Sequence, residues 1–104
     1  MLSLQGFAQS KKALEKRAAH FSEVAATKMQ LNEEQAKLVY DSFLEKLMYF
    51  NEQINGNDLS QEEKQKVYST GYKNMVKRLK PTFTQEEINR MQAIFDEEKK
   101  KENK

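Results

Sequence analysis

A chain of 104 residues supplies one domain, and its balance of 38% hydrophobic and 33% charged side chains, with three glycines and one proline, favours helices with broad solvated faces over sheets or disorder. Without cysteine, a disulfide framework, thiolate metal sites and thiol catalysis are excluded. Eighteen basic and sixteen acidic side chains alternate along the chain, so the net charge of +2 builds no broad cationic field and nucleic acid is not an expected partner.

The opening residues, Met1-Leu2-Ser3-Leu4-Gln5-Gly6-Phe7-Ala8, resemble the tail of a signal peptide, with small side chains at Gly6 and Ala8 and a cut expected after Ala8. A basic n-region and a full apolar run are missing from this stretch. The alternative is a cytoplasmic terminus in which Leu2, Leu4 and Phe7 dock on the fold. The expectation is therefore a remnant leader over 1–8 and an exported, periplasmic location, with a cytoplasmic one as the alternative. No stretch approaches the ~20 apolar residues of a membrane span.

Four helical segments follow. Over 10–30, Leu14, Ala18, Phe21, Ala25 and Met29 step by three and four and form one apolar stripe. Over 33–54, Ala36, Tyr40, Phe43, Leu47, Phe50 and Ile54 alternate the same spacings, the seam of helices packed at shallow angles. The third segment, 61–80, carries Tyr68, Tyr72, Met75 and Leu79 beside Val67, Gly71 and Val76. Gly71 suits a close contact. Pro81 ends this run, because the residue before a proline avoids helical geometry. The fourth, 85–99, presents Ile88, Met91 and Phe95 flanked by Ile94, and residues 100–104 read as a charged, flexible tail. The prediction is all-α: a domain over 9–99 of about four helices in hairpins, with a thin core that dimerisation would thicken.

The three connections share one device, a hydrophobic residue followed by a capping box. Leu31-Asn32-Glu33-Glu34-Gln35, Leu59-Ser60-Gln61-Glu62-Glu63 and Phe83-Thr84-Gln85-Glu86-Glu87 each place a capping oxygen at the N-cap and a Glu or Gln three positions later. Any helical bundle uses such caps. The residues also resemble the LTxxQ motif of the Spy/CpxP-like family of small helical periplasmic proteins. Leu31, Asn32 and Gln35 match best, with Asn in place of Thr. Leu59, Ser60 and Glu63, and Phe83, Thr84 and Glu87, are looser copies. The resemblance implies an all-α hairpin-based fold, commonly a dimer, that holds unfolded clients or modulates an envelope-stress sensor.

Chemistry is harder to place. His20 has only Glu23 as a carboxylate within a helical turn, too few ligands for a transition metal, so no metal or other cofactor is expected. Met29, Met48, Met75 and Met91 read as core packing ahead of a soft metal site. A glycine-rich phosphate loop and a legible nucleophile–base pair are both missing, so an enzyme is not expected. The second helix is apolar on more than one face, which singles out Tyr40, Leu44, Met48 and Tyr49 as candidate contacts for a client or partner, or for a helix buried between two others. Two functions remain: a Spy/CpxP-type holder of unfolded clients, and a helical interaction module with one protein partner and no chaperone activity. A remote third is a nucleic-acid binder using the ridge of Lys73, Lys77, Arg78 and Lys80.

Overall fold

The structure, a computed structural model, describes residues 10–102; the leader expected over 1–8 and the last residues of the tail lie outside them. Four helices make up the fold: α1 (Lys11–Met29), α2 (Glu33–Ile54), α3 (Gln61–Leu79) and α4 (Gln85–Glu102). No strand occurs among the described residues. Each helix packs on the next and α4 returns to α1, while α2 and α4 meet through side chains of the core. The all-α bundle read from the sequence is the fold.

Local chemistry fixes the helix starts. Ser10 Oγ accepts from the Ala13 amide. Each expected capping box closes in both directions. The Gln35 amide donates to Asn32 Oδ1 at 2.8 Å and the Asn32 amide to Gln35 Oε1 at 3.0 Å. Ser60 and Glu63 exchange the same pair of bonds, as do Thr84 and Glu87. Two amides that the helix itself cannot satisfy are thereby bonded at each start. Behind the third box, Phe83 and Ile88 are both buried in the core, so the chain is pinned by an apolar contact as well.

The helix ends use other means. Gln30 takes the left-handed conformation, φ 55°, after α1, and the Leu31 amide turns back to the Ala26 carbonyl. At the end of α3 the expected mechanism is corrected: Lys80 is right-handed helical, not extended, and still donates to the Val76 carbonyl. Pro81 stops the helix by lacking the amide hydrogen the next bond would need. The turn is finished by the Thr82 and Phe83 amides, both bonded to the Leu79 carbonyl.

The core takes most of the expected stripes, with Met29 and Tyr72 only half-buried and Tyr68 exposed, and with α2 rotated. Leu14, Ala18, Phe21 and Ala25 of α1 are buried, as are Met75 and Leu79 of α3 and Ile88, Met91, Ile94 and Phe95 of α4. On α2, Phe43 and Leu47 are buried, but Ala36, Tyr40, Phe50 and Ile54 are only half-buried; Val39, Ser42 and Lys46 take the interior positions instead. At the centre, Phe21, Phe43 and Phe95 form an aromatic trio from three helices, with ring centroids 4.1 to 5.3 Å apart. Gly71 provides the close contact expected of it: the Phe50 ring lies where a side chain at 71 would begin.

A second correction concerns the tail. Residues 100–102 continue α4 and are not a loose end. Glu98 is buried on the helix, where its carboxylate accepts from His20 Nε2 of α1 at 2.8 Å and from Lys101 Nζ at 3.0 Å. These bonds tie the charged end of α4 to α1.

Candidate functional site

Because the chain runs up and down four times, α1 starts, α2 ends, α3 starts and α4 ends at the same end of the bundle. There the helices leave an open cavity of about 520 Å³, within the ~300–1,000 Å³ range of ligand pockets. Leu14 and Arg17 reach it from α1, Lys46, Leu47, Phe50, Asn51 and Ile54 from α2, Tyr68 and Tyr72 from α3, and Gln92, Phe95, Asp96 and Lys99 from α4. The opposite end is filled by Val39, Leu79, Phe83 and Ile88.

The wall opposite α4 is aromatic. Phe50 meets the edge of Tyr68 at a centroid distance of 5.2 Å, and Tyr68, 43% exposed, stands at the rim. Of the aromatic trio Phe95 reaches the floor of the cavity, and Lys46 sits over the rings of Phe95 and Phe43. Its Nζ lies 4.5 Å from the ring centroids of both Phe43 and Phe95 and 5.9 Å from that of Phe50, a cation–π arrangement with three rings. One N–H donates to Gln92 Oε1 at 3.3 Å, and Gln92 in turn donates to Asp96 at 3.0 Å.

Lys46 is 5% exposed. Burial pulls its pKa from 10.5 down to about 8; Asp96 opposes that shift and Lys99 adds to it. The amine is therefore largely charged at neutral pH and only partly compensated. Its position was legible in principle, because Lys46 is three residues from Phe43 and four from Phe50 and so lies on the same face as both, beside Leu47 of the seam. Lysines are rarely buried, which is why the apolar pattern alone passes over it.

The sequence-derived contacts lie elsewhere. Tyr40, Leu44 and Met48 follow one another at intervals of four on α2, with Tyr40 and Leu44 packed against the core and Met48 38% exposed. Tyr49 is half-buried beside Phe50, at 6.3 Å between ring centroids. None of these four residues lines the cavity. The cap residues are not gathered into one site either. Leu31, Asn32 and Gln35 join α1 to α2; Leu59, Ser60 and Glu63 precede α3; Phe83, Thr84 and Glu87 precede α4. Each group starts a helix.

His20 finds its carboxylate not at Glu23 but at Glu98, which no local spacing could reveal. Among the described residues, no three His, Cys, Asp or Glu side chains gather as a metal set. Ser42 Oγ is buried without a hydrogen-bond partner, and nothing in the packing explains it. Arg78 of the basic ridge is paired with Glu45 of α2. No described helix is long and apolar enough to cross a membrane.

Comparison with family models, with curated proteins and with solved structures returns no match for this chain.

Proposed function

We propose that the chain is a binding protein and not an enzyme, and that the mouth of the bundle holds apolar segments of unfolded polypeptides, the activity implied by the Spy/CpxP resemblance. The observation that carries this reading is the open, largely apolar mouth with cations among its lining residues. Exposed aromatic surface at such a rim attracts apolar side chains, and nearby charge keeps the surface soluble. The same reading makes the protein an exported one, on the strength of the Met1–Ala8 pattern.

The test is suppression of aggregation. The chain beginning at Gln9, at near-stoichiometric amounts, is expected to reduce light scattering from two unrelated unfolding proteins, and Tyr68→Glu is expected to weaken the effect on both. If neither client is protected, the chaperone reading fails, and an interaction module with one dedicated protein partner takes its place.

A further inference from the structure

We propose that the mouth of the bundle is also a binding site for a small amphipathic carboxylate, with its head group on Lys46 Nζ and its apolar chain laid along Phe50, Ile54, Tyr68 and Tyr72. This goes beyond client holding and does not depend on it, since it needs only the cavity and the buried amine.

The argument begins with what Lys46 lacks. An ammonium has three donors, and among the described residues this one makes a single long hydrogen bond, to Gln92, over the rings of Phe43 and Phe95 and 5.9 Å from that of Phe50. Lys46 lines an open cavity, which gives an anion a path toward it that leaves the core folded. A carboxylate there would accept charge-assisted bonds in a site already stripped of much of its water. The surrounding charge agrees in sign: among the described residues, Arg17, Lys46 and Lys99 line the mouth against one carboxylate, Asp96.

The remaining lining sets the shape of the ligand. From Lys46 to Ile54 the cavity follows α2 for about 12 Å at 1.5 Å per residue, and the side chains along that path are mainly aromatic or aliphatic. A single medium-length alkyl chain fits this path, with one charged end at the floor. A short polar anion would leave the apolar walls wet. A neutral tail would leave Lys46 unmatched.

Calorimetric titration of the full chain with decanoate, below its micelle concentration, tests the assignment. Saturable 1:1 binding is expected, at least about tenfold tighter than for 1-decanol, while acetate gives no saturable signal. Lys46→Met is expected to lose at least about tenfold in decanoate affinity and to leave decanol affinity nearly unchanged, with helicity by circular dichroism confirming that the variant folds. A shift of the Lys46 side-chain NMR signal on titration would place the head group directly. Equal affinity for decanoate and decanol would overturn the proposal, as would unchanged decanoate binding in Lys46→Met. Sedimentation showing a dimer that excludes decanoate would also overturn it, and would assign the mouth to a second copy of the chain. Because client holding is read by light scattering, failure of either assay leaves the other interpretable.

Discussion

Lys46 concentrates the tension in this fold, since its charge lies on the aromatic floor where a hydrocarbon would pack at no electrostatic cost. An unfolded lysine titrates near 10.5, and this one near 8. Below pH 8 both states hold the proton, and the folded state bears the whole penalty of a buried charge. Between about pH 8 and about 10.5 the unfolded chain keeps a proton that the folded one has released, so stability rises with pH across that window. The gap corresponds to about 3 kcal/mol. Lys46→Met is accordingly expected to be more stable than the parent at neutral pH by up to about 3 kcal/mol, with the advantage shrinking as pH rises through the window. The change takes the donor from Gln92 Oε1, which lines the open cavity and is left to water there, while Gln92 Nε2 keeps its bond to Asp96. Urea unfolding of both proteins at about pH 7 and about pH 10 checks this; an equal difference at both values would mean that the amine is not the source.

At the level of elements, the starts of helices were legible and their ends and long-range ties were not. A capping box is contained within four residues, so Asn32 with Gln35, Ser60 with Glu63 and Thr84 with Glu87 could be identified from spacing alone. The pairing of His20 with Glu98 spans 78 positions and depends on how α4 lies on α1. Without that pairing, residues 100–104 look like a run of charge with no apolar face. With it, the end of α4 has an anchor. The bonds from His20 and Lys101 hold the Glu98 carboxylate below the usual glutamate range. Its contribution is therefore present above the ordinary carboxylate pKa and is lost as pH falls through the lowered one. Glu98→Ala is expected to fray the last turn of α4 without melting the bundle. Amide hydrogen exchange at Lys99, Lys100 and Lys101 reads this directly, as a several-fold loss of protection confined to that turn. Unchanged protection there would show that the helix end is held by its intrinsic propensity.

For the whole molecule, the apolar stripes identified the bundle, because burial in a helical fold follows the period of the helix; α1 and α4 obey it closely, and α3 does so at Met75 and Leu79 but not at Tyr68 and Tyr72. They could not locate the mouth, which arises from where four helices begin and end relative to one another. Phe50 illustrates the difference: the sequence assigns it to a seam, whereas the fold makes it a wall of the cavity, held between Gly71 and the edge of Tyr68. That placement makes Gly71→Ala a test of the architecture. Alanine in a helix interior is worth about 1 kcal/mol over glycine, but its methyl overlaps the Phe50 ring, and overpacking of this kind costs roughly 1–3 kcal/mol. The ring cannot turn freely, since Tyr68 meets it from α3, so it must move toward the open cavity. The expected result is a net loss of stability of about 1 kcal/mol in urea unfolding, together with weaker decanoate binding as the ring enters the mouth. A gain in stability with unchanged binding would mean that Phe50 swings aside, and that the wall of the mouth is set by Tyr68 and Tyr72 without it.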